Sequence, residues 1–332
     1  MITFTESQKT LTGYTFIDLF CGIGGFHLAL SSLGARCVFA SDINPKACEV
    51  YENNFDLKPH GDITKIICRK IPQHDILCAG FPCQPFSISG NKQGFDDKNG
   101  KLFFEIIRIA RFHKPKFIFL ENVKNLEAHD NGETLKVIKE KLNGVGYNSY
   151  VKVLNASDYS VPQARKRIYI VAFRKDLKIK EFTFPTAEEQ FKCVADILEH
   201  QVDDKYGINR DDITITCQEE VERSRQLKRI GSIGPGRQGE RIYSINGQAT
   251  TLSAQGGGPG GKTGIYRVGN MVRILTPREC ARVMGFPDSF KLSDSEFDSY
   301  TQFGNSVVVD VIQKIAMEAG THLVKENSNG TN

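Results

Sequence analysis

The chain has 332 residues, about twice the usual domain length, which accommodates one large domain and a smaller companion. Charged residues at 25 % and hydrophobic residues at 40 % exclude wholesale disorder. No apolar run approaches the roughly 20 residues of a membrane span, and nine cysteines without any Cys-x-x-Cys spacing argue against both a disulfide framework and a structural zinc site. A reducing, cytoplasmic compartment is expected.

In chain order, residues 15–20 read as a buried strand running into a glycine turn, Cys21-Gly22-Ile23-Gly24-Gly25, and then a helix ending near Leu33-Gly34. Residues 36–40 form a second strand closing at Ser41-Asp42, and Pro45 opens another helix at its first turn. Short apolar strands follow at 75–79 and 116–120, each with polar residues after it. Leu135, Ile138 and Leu142 share a helical face behind an Asp130-Asn131 cap. Two late strands are expected at 147–154 and 167–173, and the alternation of strands and helices implies an α/β fold around a parallel sheet. After Pro185 the pattern breaks into short, uneven segments. Regularity returns at Thr276-Pro277-Arg278-Glu279, where capping-box spacing and a proline mark a helix start and Gly285 its stop. A last helix is expected over 305–320. The organisation read from this is a catalytic and cofactor-binding domain at 1–190, a recognition domain at 191–275, a hinge region at 276–304 and a returning C-terminal segment at 305–332.

The net charge is +4, but nine basic residues against two acidic ones fall between Glu222 and Arg273. That stretch also holds Gly256-Gly257-Gly258-Pro259-Gly260-Gly261. Flexible backbone with scattered Arg and Lys suits a surface that tracks phosphates, and equally a solvated loop region.

Ligands of open α/β sheets bind beyond the carboxyl ends of the strands. Those ends collect Asp18, the glycine turn, Asp42, Asp62 and Gly80. A dinucleotide fingerprint needs a third glycine where His27 stands, and an acid inside the first strand is unwelcome beside a pyrophosphate. A cationic, phosphate-free nucleoside fits better, S-adenosylmethionine being the obvious one; plain turn residues are the alternative.

Phe81-Pro82-Cys83-Gln84-Pro85 follows a buried strand, and a cysteine between two prolines at a strand end is poorly explained as core filler. Glu121 ends the neighbouring strand, and Gln163-Ala164-Arg165-Lys166-Arg167 precedes another. These parts make chemical sense for a cytosine, whose C5 is inert toward a methyl donor. A thiolate from Cys83 adding at C6 makes C5 carbanion-like, and Glu121 at N3 stabilises the adduct. Arg165 and Arg167 hold the O2 edge and the carboxylate.

The chain resembles the DNA (cytosine-5)-methyltransferases over nearly its whole length. The matching motifs are Phe16-Ile17-Asp18-Leu19-Phe20-Cys21-Gly22-Ile23-Gly24-Gly25, Gly80-Phe81-Pro82-Cys83-Gln84, Glu121-Asn122-Val123, Gln163-x-Arg165-x-Arg167, Arg278-Glu279-Cys280 through Gly285-Phe286-Pro287, and Gln302-Phe303-Gly304-Asn305-Ser306. The resemblance implies a Rossmann-like mixed sheet of the S-adenosylmethionine-dependent methyltransferases with a smaller, irregular target-recognition domain. It implies Cys83 as nucleophile, Glu121 as acid, Arg165 and Arg167 as supports, and no metal. It further implies a methyl-donor site from Asp18, Phe20, Gly22, Ile23, Gly25, Asp42, Ile43, Asp62, Ile63, Leu102, Asn305 and Ser306. Asp42-Ile43 stand where relatives carry Glu-Trp. The segment from Ser89 to Gly100 corresponds to a lid that closes over DNA and holds the target base outside the duplex.

Residues 239–244 and 249–258 resemble the recognition region of the GCGC-specific HhaI-type restriction–modification methyltransferases. Gln238 matches the residue that fills the vacated space in the duplex, opposite Ser89. Arg241 and Thr251 match groups contacting guanine and backbone. Gln255 replaces a tyrosine, and Gly258 closes the matching run before Pro259-Gly260 depart from it. A GCGC core within double-stranded DNA is expected, alone or inside a longer or degenerate site, with a monomeric enzyme and a cognate endonuclease acting on the same site. An RNA cytosine-5 methyltransferase, a catalytically silent DNA-binding regulator and a nicotinamide oxidoreductase are the competing readings. The glycine-rich basic domain, the intact Cys83/Glu121 pair and His27 respectively argue against them.

Overall fold

Apolar runs bounded by turn formers become the central strands of a computed structural model that describes residue 5 and residues 8–82, 100–217 and 221–329. It divides into two compact units, the first formed by residues 2–154, 166–185 and 312–332, the second chiefly by 155–165 and 186–311.

The first unit holds β1 (Thr15–Leu19), α1 (Gly25–Ser32), β2 (Arg36–Ser41), α2 (Pro45–Phe55), β3 (Ile76–Gly80), α3 (Gly100–His113), β4 (Phe117–Val123), α4 (Glu133–Gly144), β5 (Tyr147–Asn155) and β6 (Lys166–Arg174). The six-stranded sheet runs β2-β1-β3-β4-β6-β5. β1 pairs in parallel with β2 and β3, and β3 with β4, whereas β6 runs antiparallel to β4. The sheet is therefore mixed, and the purely parallel arrangement suggested by strand–helix alternation gives way at β6. β1 and β3 are buried on both faces, as continuous apolar runs require. Ile17, Leu77, Ile118 and Leu120 join Phe103, Ile106 and Ile109 of α3 in the core.

Two boundaries differ from the sequence reading. β4 continues through Glu121, Asn122 and Val123, because those residues pair with Tyr169, Ile168 and Arg167 of β6; Glu121 lies inside the strand rather than after it. α4 begins behind Gly132, which has a φ of 87° and no side-chain cap, while Asp130 and Asn131 adopt left-handed conformations before it. Asn44, by contrast, caps α2 by accepting from the amides of Lys46 and Ala47.

The second unit carries β7 (Ile213–Ile215), β8 (Arg229–Ile233), β9 (Arg241–Ser244), β10 (Ile265–Val268) and β11 (Met271–Ile274), followed by α5 (Pro277–Val283) and α6 (Glu296–Asn305). The sheet order is β11-β10-β9-β8-β7, with only β9 and β10 parallel. Its core is small: Ile230, Ile233, Ile242 and Ile265. α5 starts with the capping box read from the sequence, the Thr276 hydroxyl accepting from the Glu279 amide and the Glu279 carboxylate from the Thr276 amide. Glu279 also takes both guanidinium arms of Arg273 at 2.6 and 2.7 Å, the two side chains being 0 % and 1 % exposed.

The final helix, α7 (Val309–Asn329), starts four residues later than its expected position at 305. Asn305 instead ends α6, whose start is capped by the Ser295 hydroxyl. From residue 312 onward α7 belongs to the first unit, where Gln313 donates to the Ser32 hydroxyl at 2.8 Å. Among the described residues no helix is long and apolar enough to cross a membrane.

Candidate active site

The carboxyl end of β1 turns sharply. Phe20, Gly22 and Gly24 all have positive φ, 55°, 52° and 88°, so the chain reverses within five residues and α1 begins at Gly25 without a side-chain cap. A Cβ on Gly24 would lie 2.2 Å from the Phe55 ring, so glycine is required there by packing. A Cβ on Gly22 would meet nothing within 4 Å among the described residues. That face of the turn is open to a ligand. Ile23 is buried beneath it and Phe20 packs against the sheet's core.

The acids converge on this turn. The Gly22 amide donates to Asp42 Oδ2 at 2.8 Å, while Asp42 Oδ1 accepts from the Asn44 amide. At the end of β2, Ser41 forms an isolated parallel bridge with His60, and the Asp42 amide donates to the His60 carbonyl. This short extension of the ladder carries Gly61 and Asp62 along the strand end that bears Asp42. Asp62 accepts from the Thr64 amide and hydroxyl, which holds its carboxyl below the usual carboxylate range. Ile63 is buried, Ile43 is 76 % exposed and Leu102, in the first turn of α3, is half-buried.

Asp18 lies deeper. Its side chain is fully buried, and neither carboxylate oxygen has a hydrogen-bond partner within range among the described residues. Burial raises its pKa well above the ordinary value, the Asp42 charge adds to that, and the His27 amide offsets part of it. His27, half-buried, has its pKa lowered to about 4 by desolvation and stacks on Phe55. An orphaned buried acid, a second acid bound to an open glycine turn and a third alongside favour a cationic ligand over a phosphate. The donor set fits a sulfonium nucleoside.

At the centre of the sheet, Gly80 is the register partner of Glu121. Tyr169 faces Glu121 from the other side, so Arg167 stands two residues off that pair, a diagonal that long side chains bridge. Its Nε lies 3.2 Å from Glu121 Oε1, in a pair whose side chains are 15 % and 11 % exposed. Asn122 donates from Nδ2 to the Phe81 carbonyl at 2.8 Å. That bond ties the chain leaving β3 to β4. Sequence reading gave Asn122 no role; its signal was a second polar residue beside an acid in an otherwise apolar strand. Cys83 and Ser89 lie outside the described residues. Of the other thiols, Cys21, Cys78 and Cys280 are pushed well up by burial, Cys37 to about 12 and Cys48 to about 11. These five are unsuited to act as thiolates.

Arg165 belongs to the second unit and is 2 % exposed. Its guanidinium donates to the carbonyls of Leu252 (3.1 Å), Gly304 (3.0 Å) and Ser306 (2.9 Å). It thus brackets Asn305, which is exposed, and half-buried Ser306. Gln163, fully buried, does similar work: it donates to the Val283 carbonyl and accepts from the Leu252 amide. Neither carbonyl set was foreseeable from the motif.

Gln238, Arg241, Thr251, Gln255 and Gly258 are all exposed. Gln238 opens a 3-10 turn leading into β9. The Gly239 carbonyl accepts from the Gly260 amide, and a Cβ on Gly239 would lie 2.2 Å from the Gly257 carbonyl oxygen. The glycine run is thereby locked against the segment bearing Gln238 and Arg241. Thr251 donates its hydroxyl to the Ala164 carbonyl. Of the nine basic residues in this region, Arg223 pairs with Asp196, Arg225 donates to the carbonyls of residues 188–190, and Arg273 is buried on Glu279. Those three are committed internally, which leaves a smaller basic surface than the charge count implied. Among the described residues no group of three or more His, Cys, Asp or Glu could hold a metal ion.

Residues 14–321 match the family model described as C-5 cytosine-specific DNA methylase. The chain is 53 % identical over 322 residues to the type II methyltransferase M.HhaI of Haemophilus parahaemolyticus, covering 95 % of this chain and 97 % of that protein. It is 43 % identical to the type II methyltransferase M.HaeII of Haemophilus aegyptius, with 91 % and 92 % covered. Among solved structures, the Dnmt2 methyltransferase of S. pombe superposes with a TM-score of 0.70 at 24 % identity, covering 95 % of this chain and 99 % of that one. A putative DNA modification methyltransferase encoded within a prophage of E. coli gives 0.72 at 21 %, with 94 % and 100 % covered.

Proposed function

The chain belongs to the C-5 cytosine-specific DNA methylases, as a DNA (cytosine-5)-methyltransferase of the type II restriction–modification kind, and from that premise we propose how its residues divide the reaction. The substrate is a cytosine extruded from double-stranded DNA, since a stacked C6 is out of reach of a side chain. Cys83 adds as thiolate to C6, forming the Sγ–C6 bond, while Glu121 passes a proton to N3 and the ring's electron density moves to C5. When bound, S-adenosylmethionine supplies the electrophilic methyl group that C5 takes up. Loss of the C5 proton to a base then re-forms the C5–C6 double bond, the Sγ–C6 bond breaks, and N3 returns its proton to Glu121.

The observation that carries this reading is the nearly buried pair that Glu121, on β4 directly across from Gly80, makes with Arg167 of β6. Arg167 fixes the carboxyl's rotamer. Arg165 acts through the backbone around Asn305 and Ser306. The donor is held by Asp18, Phe20, Gly22, Ile23, Gly25, Asp42, Ile43, Asp62, Ile63, Leu102, Asn305 and Ser306, with the acids matching its positive charge. Gln238 and Ser89 fill the space the base vacates, and Arg241, Thr251, Gln255 and Gly258 read a site with a GCGC core. The enzyme works as a monomer and protects DNA from an endonuclease acting at the same sequence.

Duplex DNA containing 5-fluorocytosine tests the covalent step, because fluorine at C5 blocks the final elimination. With S-adenosylmethionine present, the expected result is a complex that survives denaturing electrophoresis and is lost in Cys83→Ala. Bisulfite sequencing of plasmid from an expressing host reports the site in parallel. Full methylation by Cys83→Ala overturns the mechanism, and methylation outside GCGC overturns the recognition assignment.

A further inference from the structure

Arg108, in the third turn of α3, turns both terminal nitrogens of its guanidinium to one irregular segment. Nη2 donates to the carbonyls of Ile66 (2.9 Å) and Ile63 (3.2 Å), and Nη1 lies 3.0 Å from the Cys68 sulfur. Nε donates to Glu105 Oε2 at 2.7 Å, three residues earlier on the same helix. The acceptors lie in the connection between α2 and β3, where two 3-10 turns, Ile63–Lys65 and Cys68–Lys70, replace any strand or longer helix. Beyond the Ser41–His60 bridge this connection has no sheet ladder to fix it. Asp62 is the cap of its first turn and Ile63 the first residue of that turn.

We infer that Arg108 is a positioning residue for the methyl donor: it fixes the backbone of residues 63–66 so that Asp62 and Ile63 present a preformed edge to the nucleoside. This rests on the proposal that those two residues contact the donor. A planar fork satisfies two carbonyls and a sulfur at fixed angles, which the point charge of a lysine does not. Glu105 holds the fork's orientation. Without it, the turn samples other conformations, and ordering it is charged to the binding step. Affinity falls with the population of the competent state, whereas the reacting atoms, on other strands, are untouched once the donor is bound.

The experiment is calorimetric titration of the full-length protein with S-adenosylhomocysteine, alongside steady-state kinetics and amide hydrogen exchange without ligand. Arg108→Ala is expected to raise the dissociation constant and the KM for S-adenosylmethionine about tenfold. Its kcat at saturating donor stays within about twofold and its KM for DNA is unchanged, while residues 63–66 exchange faster. Arg108→Lys recovers only part of the loss. Should Arg108→Ala fail to fold, Arg108→Lys and Glu105→Gln decide the question: wild-type affinity in both overturns the inference. It is also overturned if Arg108→Ala binds normally, or loses kcat with KM intact. A different outcome marks failure of the donor site itself: the wild type does not bind S-adenosylhomocysteine, or Asp42→Ala and Asp62→Ala bind it as well as the wild type does.

Discussion

The two units place their functional groups by different means. In the first, a hydrogen-bonded ladder does the placing. Register puts Glu121 opposite Gly80 and diagonal to Arg167, and one bridge, Ser41 to His60, carries Asp62 along the strand end that bears Asp42. In the second, strands are three to five residues long around four isoleucines. There, contacts between backbones do the placing: Gly239 against Gly257 and Gly260, and carbonyls gathered around Arg165. A ladder repeats its constraint at every residue, so single side chains on it can change with little effect on their neighbours. A loop packed glycine to glycine has no such redundancy. The first unit should therefore tolerate substitution at its rim, and the second should be brittle at a few positions.

The largest effect expected from this contrast is at the Arg273–Glu279 pair, which ties β11 to the start of α5. Both partners are buried and hydrogen-bonded, so removing one strands a charge. Glu279→Ala is expected to cost about 3–5 kcal/mol, read as a lower denaturation midpoint in urea. A shift below about 1 kcal/mol would mean that the small sheet stands without its ionic anchor.

Next in size is Gly239→Ala. The added Cβ would sit 2.2 Å from a backbone oxygen, and relief requires the two loops to part. A loss of about 1–3 kcal/mol is expected for such overpacking. DNA affinity falls with it, because Gln238 and Arg241 flank the displaced residue, while S-adenosylhomocysteine binds as before. If DNA binding survives and donor binding does not, the division of labour between the units is wrong.

What the sequence disclosed follows the same division. β1, the glycine turn and the capping box at Thr276 were legible, because each depends on residues within a few positions of one another. The fold class and the Glu121 motif were legible through resemblance. Long-range geometry was not. The carbonyls that Arg165 holds belong to residues 252, 304 and 306, and no local pattern announces such partners. α6 was missed because Gly304 and two polar pairs dilute its apolar face, although Ser295 supplies a cap. Placing Glu121 after its strand failed for a related reason: β4 is prolonged by a partner, β6, that sits more than forty residues further along the chain. Arg223, Arg225 and Arg273 counted toward a basic surface until their internal partners were seen.

The smallest effect expected is at Asp18, and its sign separates a structural from a ligand-binding role. Native Asp18 holds its proton to a higher pH than the unfolded carboxyl, whose ordinary value is 3.8. Between those two pKa values the native state binds more protons, so stability falls as pH rises. Asp18→Asn removes that dependence. Its stability relative to wild type should grow from about pH 4 upward and level off once the native carboxyl ionises. His27, neutral above its lowered pKa of about 4, tilts stability the opposite way below 6.5, but it is present in both proteins and cancels in the difference. Urea denaturation at pH 5 and pH 8 measures this, with the variant's advantage greater at pH 8. The same variant should bind S-adenosylmethionine more weakly, since its sulfonium loses a buried counter-charge. An acid kept at a cost in stability and needed for affinity is a binding group; one whose replacement stabilises the protein and leaves affinity intact is only a tolerated defect in the strand.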